Sequence, residues 1–310
     1  PGSRAGPRRI LAAWQTPVMR DVRAITRRTF LTGAAAAAAL ATTRVARGEA
    51  PAPAPRIERM PAAFVGHGSP MTAVDAARGK ELRVWAEAIG KPQAILCVSA
   101  HYERRPLTIG ATTKRALIYD FGGFPRELYR LTYPAPGAGE LATGVAKRLA
   151  GVTRVQRDAR RGHDHGTWVP LRWMYPDADV PVLSVSLPGH DPKTLFRVGR
   201  ALGPLRDEGV LILGSGMLTH NLRHRGRPGA KPPTWSSEFD AWAKRVIDTN
   251  DVDQLLDWQR KAPAARTNHP TVEHFVPLVL ALGARRASDK VRYPIVGFSG
   301  SMSRRSVSLA

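Results

Sequence analysis

The stretch QAILCVSAHYE, residues 93–103, runs through seven apolar or small residues before it stops at His101. An uncharged run of that length reads as a strand buried on both faces, and such a strand needs helices above and below it. It is not alone. PAAFVGHGSP (61–70) reads as a strand ending at His67, GVLILGSGMLTHNL (209–222) as one that runs into a Gly-Ser-Gly turn and reaches His220, and VPVLSVSLPG (180–189) as a fourth. Helical stretches fall near 72–89, 138–150, 167–175 and 192–207. Alternating short apolar runs and helices predict an α/β fold: a single domain with a central, largely parallel or mixed sheet flanked by helices.

Strands that point the same way in such a sheet open their carboxyl ends onto one crevice, where ligands bind. A single histidine at a strand end is ordinarily structural. Three at one edge, each beside Gly or Ser residues that let the backbone turn and leave room for a ligand, predict a metal site at the strand C-terminal edge. Neutral imidazole nitrogen suits zinc, iron and copper.

Two other stretches place histidine in suggestive company. RRGHDHGTWVPLRWMYP (160–176) puts His163, Asp164 and His165 in a Gly-flanked loop before a helix starting near Thr167. NHPTVEHFVPLVLALG (268–283) puts Glu273 and His274 at the start of an apolar C-terminal helix. Adjacent helical residues point about 100° apart, so only one of that pair can readily face a metal, and the sequence leaves open which. His190, His224 and His269 read as surface or loop residues.

The chain has 310 residues, 43% of them apolar, enough for one sizeable core. Its formal charge is +22, of which residues 1–56, with ten Lys/Arg against two acids, supply +8. The remaining +14 is scattered, without a recognition helix, zinc-finger spacing or aromatic-interleaved RNA motif, so no nucleic-acid partner is expected. The one cysteine, Cys97, lies inside an apolar run and excludes an intrachain disulfide.

Residues 1–58 read as an N-terminal extension and 59–310 as the catalytic domain. TRRTFLTGAAAAAALATTRVARGEA (26–50) pairs Arg27 with Arg28, then Phe30 and Leu31, an Ala-rich stretch and a possible cleavage region. It resembles a twin-arginine signal, which implies the twin-arginine export machinery as a partner of the precursor and a periplasmic location. The apolar part is too short for a membrane span, so none is expected in the mature protein. APAPAPR (50–56) is a Pro/Ala spacer, and Met19 is a plausible start.

Taken in order, FVGHGSPM, VSAHYE, YDFGGFPRELYRLTYPAPG, DHGTWVPLRWMYPDADVPVLSVSLP, LILGSGMLTHNL and PTVEHFVPL resemble the class III extradiol ring-cleavage dioxygenases, in their DOPA 4,5-dioxygenase-like branch. The resemblance implies a mononuclear non-haem Fe(II) centre, with Zn(II) as a bound or substituting metal. It implies cleavage of a catecholic small molecule beside its two hydroxyls, with both atoms of O2 inserted. Carried over by motif, His67, His101 and His274 are metal ligands, with Glu273 as the alternative to His274. His220 is a further ligand or the catalytic acid/base. His165 orients substrate or donates a proton, and Phe121 and Phe124 wall the substrate pocket.

Three positions depart from the family's pattern: Tyr119 stands where His is frequent, His163 where an apolar residue is usual, and Val272 where Pro is frequent. A zinc-dependent hydrolase, or a catalytically silent metal-binding relative, are the alternatives the histidine cluster permits.

Overall fold

The structure, a computed structural model, describes residues 58–310 with the exception of position 228. The arginine pair, the Ala-rich stretch and the Pro/Ala spacer lie outside the described residues.

Six strands form the central sheet: β1 (Ala62–Gly66), β2 (Ala94–Ser99), β3 (Val182–Ser184), β4 (Val210–Gly216), β5 (Val291–Arg292) and β6 (Val307–Leu309). Their spatial order is β3-β2-β4-β1-β6-β5. The first four are parallel, while β6 pairs antiparallel with β1 and β5 antiparallel with β6. The sheet is therefore mixed, within the expectation. Register sets Gly66 opposite Gly216 and Ser99 opposite Ser215, so the carboxyl ends of β1, β2 and β4 are level.

Alternate residues along each strand feed opposite faces. Phe64, Leu96, Val98 and Ile212 point into a core closed by α2 (Gly139–Leu149), α4 (Pro192–Leu202), α5 (Thr234–Thr249) and α6 (Val276–Gly283). Val65, Ile95, Cys97, Leu211 and Leu213 point into a second core closed by α1 (Ala76–Ile89) and α3 (His165–Met174). Cys97 is buried, as its run suggests. Among the described residues, no helix is long and apolar enough to cross a membrane.

Several boundaries differ from the sequence reading, each for a local reason. The stretch near 72–89 divides into a 3-10 turn, Pro70–Val74, and α1, because Asp75 turns extended and its carboxylate caps α1 at the N–H groups of Ala77 and Arg78. The helix expected from Thr167 begins two residues earlier, where the Asp164 side chain accepts from the Thr167 N–H. The stretch 192–207 is helical only to Leu202; Pro204, with no N–H to donate, continues as the 3-10 turn Gly203–Glu208. β4 stops at Gly216, and a loop carries the chain on to His220.

Candidate metal centre

His67 follows β1 directly and its N–H donates to the Gly216 carbonyl at 3.0 Å. His101 lies two residues past β2, and His165 opens α3. Glu273 and His274 sit in the turn before α6, which begins only at Val276. The helical argument that separates their directions therefore does not apply to them: the two side chains meet, Glu273 Oε1 lying 2.9 Å from His274 Nδ1.

Close packing against glycine makes the convergence possible. A Cβ on Gly216 would sit 2.1 Å from the His274 carbonyl oxygen, the same oxygen that accepts from the Met217 N–H at 2.9 Å. A Cβ on Gly166 would sit 2.4 Å from Ser99 Oγ and 3.0 Å from His101 Cδ2. The bare backbone at these positions lets the 274 turn and the start of α3 press against the strand ends from opposite sides.

The rings meet there. Centroid separations are 5.1 Å for His67–His101, 5.4 Å for His67–His274, 4.9 Å for His101–His274 and 4.0 Å for His101–His165. His220 lies flat on His274 at 3.5 Å. Potential ligand atoms form two groups, each within 4.8 Å: His67, His101 and His165; and His220, Glu273 and His274. All five histidines singled out in the sequence are thus at one place, and Glu273 is with them.

Hydrogen bonding fixes which nitrogens are free. Ser215 Oγ donates its only hydrogen to the Gly166 carbonyl, so at 2.9 Å from His67 Nδ1 it must accept. His67 therefore carries its proton on Nδ1 and a lone pair on Nε2. Glu273 draws the proton of His274 to Nδ1 in the same way. His101 Nδ1 lies 3.3 Å from Asp120 Oδ2 without the alignment of a hydrogen bond, and its Nε2 faces His67 Nε2 at 3.4 Å. At that separation the pair either shares one proton in an N–H···N hydrogen bond or ligates a common cation. Nitrogens about 2.0–2.1 Å from a shared ion at a near-tetrahedral angle are ~3.3 Å apart, so the donor set fits a metal.

Burial keeps these imidazoles neutral and ready to ligate. Desolvation first, then the neighbouring histidines, hold His67 and His274 well below the usual imidazole range. Desolvation and then His165 lower His101 to about 4, against the opposing pull of Asp164 and Asp120. His220 is also lowered, by burial first.

The residues behind the cluster escape sequence reasoning. Asp120 bridges two histidines: Oδ1 accepts from the His165 N–H at 2.9 Å and lies 3.0 Å from His165 Nδ1, off the line of a good hydrogen bond, while Oδ2 faces His101. Desolvation would raise Asp120, but the His165 side chain and N–H, with His101, outweigh it and hold the carboxyl at about 2. Asp164, fully buried, accepts from Ser99 Oγ at 2.6 Å and from Arg161, which also donates to the His101 carbonyl at 2.9 Å. Asp120 opens the DFGGFP motif and Ser215 centres Gly-Ser-Gly, yet neither residue type marks a site without its partner in view.

Phe121 sets its edge against His165, ring centroids 5.7 Å apart, and Phe124 packs behind Phe121 at 5.4 Å. Tyr119 joins this aromatic wall and donates to the Leu131 carbonyl at 2.6 Å, so its hydroxyl is already engaged. His163 Nδ1 lies 2.8 Å from Ser184 Oγ. His269 lies in a loop, as read, but not at the surface: it is 3% exposed, enclosed by Phe239, Trp258 and Phe275, with Nε2 2.9 Å from the Leu218 carbonyl. His224 is exposed, and His190 pairs with Glu103 at the surface.

Residues 62–303 match the family described as the catalytic LigB subunit of aromatic ring-opening dioxygenase. The chain is 42% identical over 238 residues to a 4,5-DOPA dioxygenase extradiol of Beta vulgaris, covering 73% of this chain and 87% of the relative. It is 35% identical over 263 residues to a 4,5-DOPA dioxygenase extradiol of Escherichia coli K12, covering 81% and 95%. An uncharacterised E. coli K12 protein of known crystal structure superposes with a TM-score of 0.69 at 32% identity, covering 81% of this chain and all of that one.

Proposed function

Because the chain belongs to the LigB family of aromatic ring-opening dioxygenases, we propose that it opens a catechol at a bond beside its two hydroxyls, with Fe(II) as its metal and both atoms of O2 entering the product. The relatives named as 4,5-DOPA dioxygenases support a substrate that resembles DOPA. Family membership takes the place of the zinc-hydrolase alternative. The observation that carries the metal assignment is the Nε2 pair of His67 and His101, 3.4 Å apart, with the His274 ring against both.

His67, His101 and His274 would hold the ion, each with its Nδ1 turned to a partner, Ser215, Asp120 or Glu273. When bound, Fe(II) supplies the redox centre at which catechol and dioxygen are brought together. Three neutral ligands leave the ion most of its charge, which favours the ionised catechol.

His220 is the proton acceptor in this reading. Neither of its ring nitrogens has a hydrogen-bond partner among the described residues, and burial keeps it unprotonated at neutral pH. It takes the second phenolic proton and returns it as the ring opens. His165, steered by Asp120 and walled by Phe121, orients the hydroxyls.

The test is to purify the protein without oxygen, add Fe(II), admit air with a panel of catechols including DOPA, and follow the yellow absorbance of the ring-opened semialdehyde. Yellow product that depends on Fe(II) is expected. Tight iron binding with no coloured product from any catechol would overturn the reading.

A further inference from the structure

Beside the His67 loop, a cavity of about 320 Å³ opens between the Pro70–Val74 turn, the loop after β4 and residues 299–302. Met71, Met217 and Met302 supply its apolar wall; Thr72, Asp75, Arg78 and Arg225 supply its polar groups. Met217 also ties it to the candidate metal centre, its Sδ accepting from the Gly68 N–H at 3.2 Å next to His67.

Two donors stand against that loop. Gly68 has a φ of 76°, and a Cβ there would meet Thr72 Oγ1 at 2.6 Å and Arg78 Nη1 at 3.1 Å. Thr72 is 4% exposed, and its hydroxyl has no hydrogen-bond partner among the described residues. A buried hydroxyl without a protein partner is uncommon and leaves that group free for a water or a ligand atom.

The charges are incompletely balanced. Arg78 Nε lies 3.4 Å from Asp75 Oδ2, but the other oxygen of that carboxylate is committed to capping α1. Desolvation and then the Arg304 guanidinium lower the Arg78 pKa, against Asp75 and Glu81, which raise it. Arg225 is exposed and in no ion pair among the described residues. Two guanidiniums against one carboxylate leave about one positive charge, which matches a monoanion.

We propose that this cavity receives a carboxylate on the side chain of the catechol, with Thr72 Oγ1, Arg78 and Arg225 as the groups that select it and the methionines packing along the intervening carbons. The inference rests on the ring-opening reading above and adds to it the residues that discriminate among catechols. Arginine suits this task because its planar fork pairs with a carboxylate through two parallel hydrogen bonds.

The experiment is calorimetric titration of the full chain, iron-loaded and without oxygen, with 3,4-dihydroxyphenylpropanoate and with its amide, a neutral near-isostere. The acid should bind at least about tenfold more tightly. Among the described residues, Thr72→Val removes a hydroxyl with no partner and Arg225→Gln a charge outside any ion pair; each should shrink the acid-to-amide ratio by about tenfold. Equal binding of the two compounds, binding of neither, or variants that weaken both alike would overturn the proposal. Readmitting oxygen separates the two claims: an intact acid preference with no ring opening sinks the activity and keeps the pocket, whereas ring opening of both at one KM does the reverse.

Discussion

Ser215 accepts from His67 Nδ1 at 2.9 Å while its own hydrogen goes to the Gly166 carbonyl. One hydroxyl therefore sets the tautomer of an imidazole on β1 and fastens the start of α3. Ser215→Ala removes both effects without adding bulk. Metal affinity should fall by about 10- to 100-fold, as when a partner behind a ligating histidine is lost, and competition against a chromogenic chelator would measure it.

Asp120 steers His101 and His165 together. Asp120→Asn can still accept from the His165 N–H, but it offers an N–H where a carboxylate oxygen stood. Turnover should drop by about 10² with little change in melting temperature. Steady-state kinetics beside a thermal melt checks this, and an unchanged kcat would remove Asp120 from the site.

Gly216→Ala places a methyl 2.1 Å from the His274 carbonyl oxygen. Overpacking of this kind costs about 1–3 kcal/mol, and the displaced turn carries a candidate ligand. Lower stability in urea and lost iron should appear together; stability lost at full iron occupancy would show that the 274 turn adjusts on its own.

His163 and His269 both lie at about 4, lowered from 6.5 chiefly by burial. Between those values the unfolded chain binds protons that the native protein does not, so stability rises with pH and is lost as pH falls from 6.5 toward 4. At pH 5 each group costs roughly 2 kcal/mol relative to pH 7. Urea denaturation of the metal-free protein at both pH values reads the slope, and His269→Gln should reduce it by that group's share, His163 and the lowered site histidines supplying the rest. A slope untouched by that change would mean that the buried imidazole is not what titrates.

The arginine pair motivates a prediction about location. Replacing Arg27 and Arg28 by Lys together should hold the precursor in the cytoplasm of a host with twin-arginine export, as cell fractionation would show. Unimpaired export would dismiss the signal.

Much of this architecture is written locally. FVGH, ILCVSAH and VLILGSG are each long enough to show burial on both faces, and each delivers its histidine, or the loop to it, at one edge. β5 and β6 span two and three residues, too few for any period to register, and their pairing comes from the sheet edge they complete. Ser215 and Asp120 could not be singled out, because a serine or an aspartate acquires its role only from what folding sets beside it. His269 misled for the opposite reason. Its neighbours Asn268 and Pro270 mark a loop correctly, but Phe239 and Trp258, which bury that loop, come from elsewhere in the chain.

α3 belongs to the core on one face of the sheet and α6 to the core on the other, yet His165 and His274 arrive at the same spot from those two layers. An ion held by His67, His101 and His274 would rivet the turn before α6 to the rim of the sheet, closing a chain loop from His67 to His274. Loading it should therefore tie that turn to the strand ends and shift the melt upward with metal concentration by mass action.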